Sequence, residues 1–181
     1  PVGVTTIKNS TFFGCSELLS ITIPPGVNSV ESSAFYSCSK LASVDIPVGV
    51  TSIREGTFFG CSELLSINIP NNVNTIEKDA FAGCAKLSSV IFGENSQLTT
   101  IGDTAFKTID ISSIIIPSTV NSIGKETFAF CSKLKSVNIP AGVVQINDNT
   151  FLSCIQLDSV TFDLNSQLNS IGINAFKDCS S

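Results

Sequence analysis

TFFGCSELLSI occupies Thr57–Ile67, and the same eleven residues occupy Thr11–Ile21. Looser copies run the length of the chain, each anchored on a phenylalanine: Phe12, Phe35, Phe58, Phe81, Phe106, Phe128, Phe151 and Phe176. Successive anchors are 23, 23, 23, 25, 22, 23 and 25 residues apart. A period in this range is the signature of stacked coils, each too small to bury its apolar residues alone. The sequence therefore predicts one repeat array over residues 1–181 in place of an ordinary globular domain. The chain starts and stops inside a unit, which predicts a fragment of a longer chain with uncapped ends.

Reading on from an anchor, the unit is F-x-x-C-x-x-L-x-S-I-x-I-P-x-x-V-x-x-I-x-x-x-[A/T]. In the third coil, Ile67 and Ile69 alternate with Ser66 and Asn68 before Pro70. Alternation with period two marks a half-buried strand, and proline ends it by removing an amide donor. Seven such strands are predicted, over 18–23, 41–46, 64–69, 87–92, 111–116, 134–139 and 157–162. Stacked coil on coil, they form one parallel sheet with strands about 4.8 Å apart. The V-x-x-I segment (Val73 and Ile76 in the third coil) is a second wall facing inward. A tight corner carrying Ala or Thr then returns the next phenylalanine to the core.

The seven cysteines obey the same register, each three residues after an anchor: Cys15, Cys38, Cys61, Cys84, Cys131, Cys154 and Cys179. The remaining complete copy has Ile109 there. No CxxC pair or histidine completes a zinc site. The expected state is a ladder of buried, reduced thiols acting as small hydrophobes. Two charged rows support the register. Glu17, Lys40, Glu63 and Lys86 follow the anchors by five residues, and Lys8, Glu31, Arg54 and Glu77 precede them by four. Both rows alternate in sign, so a one-coil slip would bring like charges together.

Departures from the unit come in two kinds. After Phe81 and Phe151 the strand ends in Phe92 and Phe162 in place of Ile-Pro, and a longer turn follows, GENSQL at 93–98 and DLNSQL at 163–168. One alternative corner used twice explains both. The coil after Phe106 is one residue short, which predicts a local kink without a domain boundary.

Charged residues are 14% of the chain, against roughly 25% in an average soluble protein. That fits coils that are mostly wall and core. A net charge of −5 leaves no basic stripe for nucleic acid. No apolar run approaches the ~20 residues of a membrane span. With no histidine, the sequence points to no catalytic residue, no cofactor and no metal. Asp103, Asp110, Asp148, Asp158 and Asp163 sit at unrelated registers, without an oxygen-rich calcium loop. Asn9-Ser10-Thr11 is the one glycosylation sequon.

With these residues in hand, the unit resembles the BspA-like, or Treponema-type, leucine-rich repeat. The likeness lies in the 23-residue period, the C-x-x-L-x-x-I-x-I-P-x-x-V-x-x-I core and the phenylalanine corner, and it covers essentially the whole chain. It implies an α/β-type solenoid of mostly β content, a right-handed superhelix with about 23 residues per coil and one parallel sheet of about seven strands. It also implies an extracellular or cell-surface protein, adhesion to host proteins such as extracellular-matrix components, and no catalytic motif.

Solenoids bind on extended faces, so the outward rows hold the candidate sites. Ser20, Ser43, Ser66, Ser89, Ser113, Ser136 and Ser159 form one row. A serine nucleophile needs a neighbouring base, so a ladder of mutually bonded hydroxyls is expected. In the next row Ile91 and Ile115 are apolar on adjacent coils. They mark either a contact site or plain strand propensity. Phe13, Tyr36 and Phe59 each follow an anchor by one residue, making either an aromatic binding stripe or a cover over the coil edge. Leu19 and Leu65 are predicted to face outward too. The expected function is a non-enzymatic adhesion or recognition module binding a protein ligand through the solenoid surface. The alternative is a structural protein that self-associates through its open ends.

Overall fold

The structure, a computed structural model, describes residues 3–179. It is a mostly-β parallel solenoid of about seven turns. The eight anchor rings stack in one continuous column. Neighbouring centroids are 5.1 to 5.7 Å apart and the planes are tilted by 2° to 8°. The six rings from Phe35 to Phe151 are fully buried, while Phe12 and Phe176 are partly covered. Ala34, Ala80 and Ala105, or Thr57, Thr127 and Thr150, lie buried beside the rings. The three threonine hydroxyls are satisfied locally by the Arg54, Gly124 and Asn147 carbonyls.

The expected α/β character does not appear. Among the described residues there is no helix, because each corner is a run of overlapping turns. In the third coil, Thr57, Phe59, Cys61 and Leu64 donate their amides to the carbonyl three residues earlier. The amides between them point along the solenoid axis. Gly56, Phe58 and Gly60 donate to Lys78, Ala80 and Ala82 of the following coil at 3.0, 2.9 and 2.8 Å. This triplet recurs at every corner from Phe12 to Phe151. The geometry needs a left-handed residue two before and two after each anchor, sixteen positions in all. Only four are glycine (Gly14, Gly56, Gly60 and Gly83); the others include Thr104, Thr108, Glu126 and Phe130 at φ 56°, 62°, 55° and 63°. A β-branched or bulky residue at positive φ is an outlier, so corner closure overrides local preference here.

Two walls join the corners. The serine wall contains Ser20–Ile21, Ser43–Val44, Ser66–Ile69, Ser89–Phe92, Ser113–Ile114, Ser136–Ile139 and Ser159–Phe162. The V-x-x-I segments form a second wall of parallel strands: Thr6–Ile7, Ser29–Val30, Ser52–Ile53, Thr75–Ile76, Thr100–Ile101, Ser122–Ile123, Gln145–Ile146 and Ser170–Ile171. The apolar residues of both walls and the anchor rings make one core. The strands of the serine wall start later than predicted. Leu18, Leu41, Leu64 and Leu87 have given their amides to the last turn of the corner, through the Cys15, Cys38, Cys61 and Cys84 carbonyls.

The single seven-stranded sheet is also corrected. The serine wall is three consecutive ladders, broken between Ser43–Val44 and Ser66–Ile69 and between Ser89–Phe92 and Ser113–Ile114. At the first break the chain stays closed, with the Leu65 amide 3.3 Å from the Ala42 carbonyl. The second break coincides with the long turn at 93–98 and the short coil after Phe106. The second wall breaks elsewhere, between Ser29–Val30 and Ser52–Ile53 and between Ser122–Ile123 and Gln145–Ile146. The two unusual turns share one construction, with Asn95 and Asn165 at φ 55° and 62° in equivalent positions.

The thiol ladder takes a form that spacing could not show. Cys38, Cys61, Cys84, Cys131, Cys154 and Cys179 each donate Sγ–H to the anchor carbonyl of the preceding coil, at 3.1 or 3.2 Å. Burial pushes the Cys38 thiol up to about 11 and the Cys61 and Cys131 thiols up to about 12. Cys15 departs from the expectation: it is exposed. The charged rows pair in dyads, Glu17 with Lys40 at 2.7 Å, Glu63 with Lys86 at 2.8 Å and Arg54 with Glu77 at 3.4 Å. The same device recurs as Asp110–Lys133 at 2.9 Å.

Candidate functional site

The serine row is in register, with Ser20 beside Ser43, Ser66 beside Ser89, Ser113 beside Ser136, and Ser136 beside Ser159. The expected hydroxyl ladder is not formed; among the described residues the seven hydroxyls do not bond one another. All but the half-buried Ser89 are exposed.

Ile91 and Ile115 both point outward, 55% and 87% exposed. They are not ladder partners, since Ile91 pairs with Asn68 and the ladder stops before Ile115. They nevertheless come together at the second break, where the strands diverge and leave a groove of about 780 Å³. Val90, Ile91, Phe92, Ile114 and Ile115 supply its apolar surface, and Gly93, Asn95, Ser96, Ser118 and Thr119 supply a polar rim. No charged side chain lines it. The rim escaped the reading of the sequence, although the long turn and the short coil were its signal. Leu19 and Leu65 are exposed, as expected, on the same wall.

Phe13, Tyr36 and Phe59 form a second ring column, 4.8 and 4.5 Å between centroids and tilted by 5° and 9°. Stacking along the axis turns ring edges, and not faces, sideways to solvent. Phe13 is exposed, while Tyr36 and Phe59 are half-buried. Gly56 lies against this column at φ 60°, and a Cβ there would sit in ordinary contact with the Tyr36 ring and Ser33 Oγ at 3.4 Å. It ends at Ala82, and farther along Lys107 lies over the Phe130 ring at 5.6 Å and pairs with Glu126 at 2.7 Å.

Asp103, Asp148 and Asp163 serve coil-to-coil bonding. Asp103 Oδ1 accepts the Lys125 amide at 2.7 Å, and Asp148 Oδ1 accepts the Ile173 amide at 2.9 Å. The hydrogen bond from the Lys125 ammonium holds the Asp148 carboxyl below its usual range. Asp163 accepts from Asn138 Nδ2 at 2.7 Å. No helix among the described residues is long and apolar enough to cross a membrane.

The family model described as the BspA type leucine rich repeat region matches in six copies, over residues 1–107 and 99–181. The chain belongs to the BspA-type leucine-rich repeat family. Among solved structures it is similar to the Treponema pallidum leucine-rich repeat protein, at 29% identity and a TM-score of 0.81, over 89% of this chain and 76% of that one. It is also similar to a leucine-rich repeat protein from Bacteroides ovatus, at 28% identity and a TM-score of 0.74, over 99% of this chain. The chain spans 57% of the length of that Bacteroides protein. No curated protein matches the chain.

Proposed function

We propose that this chain is a non-enzymatic recognition module of an extracellular or cell-surface protein. It binds a protein ligand through the serine wall, with the Ile91–Ile115 groove as its centre. The observation that carries the reading is the groove. Two large apolar side chains, both exposed, line one groove in the serine wall, and its rim is uncharged. Apolar anchors ringed by polar groups are the form that binding centres take. The family resemblance supports the surface location and the adhesive role. The chain has no histidine, so no imidazole base is available to the serine row.

The test is capture of the recombinant array on immobilised extracellular-matrix proteins. An Ile91→Ala/Ile115→Ala double variant should weaken capture by at least about tenfold while the protein stays monomeric with its melting temperature unchanged. A parallel Phe13→Ala/Tyr36→Ala/Phe59→Ala variant asks whether the aromatic column carries the affinity instead. Loss of self-association in place of capture would put the assembly reading first. If the isoleucine variant binds like the parent, the groove is not the site.

A further inference from the structure

The coils that follow Phe81 and Phe106 meet at a seam that differs from the others in several independent ways. The serine-wall ladder is open there. Ile109 replaces the cysteine, so the Phe81 carbonyl, alone among the anchors from Phe12 to Phe151, receives no thiol hydrogen bond. The turn bonds that fix Cys84 and Leu87 onto the preceding corner have no counterpart at Ile109 and Ile111. Thr104 and Thr108, both β-branched, hold left-handed φ on either side of Phe106. On the serine-wall side, one backbone bond still spans the seam, the Asp110 amide to the Leu87 carbonyl at 2.9 Å, and at the groove rim Thr119 Oγ1 donates to the Ser96 carbonyl at 3.1 Å.

The rest of the seam is closed. In the second wall, Thr100–Ile101 pairs with Ser122–Ile123, and the Gly124 amide reaches the Ile101 carbonyl at 2.8 Å. At the corner, Asp79, Phe81 and Gly83 donate to Asp103, Ala105 and Lys107 at 3.0, 2.9 and 2.9 Å. The Phe81 and Phe106 rings stay stacked at 5.4 Å. One side of the seam is loose while the other two are bonded, and that is the anatomy of a hinge. The first break in the serine wall lacks this combination. There the Cys61 thiol bonds the Phe35 carbonyl at 3.2 Å, Ser62 Oγ bonds the Ser39 carbonyl at 3.2 Å, and the Leu65 amide still reaches Ala42.

We propose that the array bends at this one seam, the serine wall opening and closing about the intact second wall and corner, so that the width of the Ile91–Ile115 groove is variable. This follows from the bonding pattern and holds whether or not the groove binds a ligand. A protein opens where few bonds cross, and amide hydrogen exchange measures that opening.

The experiment is native-state exchange on the intact array, read at residue resolution. Amides of residues 112–116 should exchange at least about tenfold faster than those of residues 65–69 at the first break, with Ser122 and Gly124 remaining protected. A smaller difference between the two breaks overturns the hinge. So does equally fast exchange at Ser122 and Gly124, which would mean that the whole seam separates. Replacing Ile109→Cys supplies the missing thiol donor and should slow exchange at 112–116 by about threefold or more. No change in that variant, if its melting temperature is kept, also overturns the proposal.

Discussion

Replacing Phe81 by alanine tests the stack at its centre. The ring is fully buried and lies 5.4 Å from both Phe58 and Phe106. Truncating a buried phenylalanine costs about 3–5 kcal/mol through lost burial and the cavity left behind. The column cannot collapse into that cavity, because bonded backbones on both sides fix the spacing of the coils. The upper part of the range, about 4–5 kcal/mol, is therefore expected, with a fall in melting temperature of roughly 8–20 °C for a chain of this size. Phe81→Leu keeps most of the apolar volume but loses two ring contacts of about 0.5–1.5 kcal/mol each, so about 1–3 kcal/mol is expected. Phe12→Ala removes a ring with one stacking neighbour and partial exposure, and should cost about half as much as Phe81→Ala. Urea unfolding can be followed by circular dichroism together with fluorescence of Tyr36, the one tyrosine in a chain without tryptophan. Two probes are needed because repeat arrays do not always unfold as one unit. A Phe81→Ala cost below about 1 kcal/mol, or equal costs at Phe81 and Phe12, would show that the stack is not where the stability resides.

Thiol titration of the native protein near pH 8 should show Cys15 reacting first and Cys179 slowly. Cys38, Cys61, Cys84, Cys131 and Cys154 should react only on unfolding, to a total of seven. The raised thiols also make stability pH-dependent. Their protonated form is favoured only in the folded state, so their contribution is complete below pH 9.0 and is lost as pH climbs through about 11 and 12. Alkaline melting curves that stay flat between pH 9 and 11 would contradict the buried ladder. Lys86→Ala breaks an exposed pair with Glu63 and should cost less than about 1 kcal/mol, an effect that molar salt removes. Thr108→Gly relieves an exposed β-branched residue at φ 62° and should stabilise the fold by about 1 kcal/mol, which a thermal melt would detect.

The features read well from sequence were those that repeat in side-chain type. Phenylalanine at one register implies a ring column, cysteine at one register implies shared burial, and alternating charges imply coil-to-coil pairs. The corner's backbone could not be read in that way. Its left-handed positions hold Ser, Asp, Thr, Glu, Asn, Phe or Gly, because chain closure and three bonds to the next coil impose the conformation whatever the residue. The serine row misled in a different manner. Register places the hydroxyls side by side, but strand spacing alone does not bring them into bonding geometry. The groove was half legible: Ile91 and Ile115 stood out as apolar residues in a polar row. That the strands would part between them depended on a long turn and a short coil acting on the same seam.

The triplet of axial amides at each corner has an electrical consequence. The peptide group joining Ala80 to Phe81 accepts from Phe58 and donates to Ala105, and its counterparts do the same on every coil between. Three parallel files of peptide dipoles therefore run the length of the solenoid, all pointing the same way. In an α-helix the positive pole lies at the start of the chain; here it faces the later coils. Each member of a file polarises the next, strengthening bonds by roughly 10–30%. The walls carry files of the opposite sense, with Ala42 donating back to Leu19 and Glu77 back to Ile53, so corner and walls oppose one another electrically while every coil inserted into a file tightens those already in it.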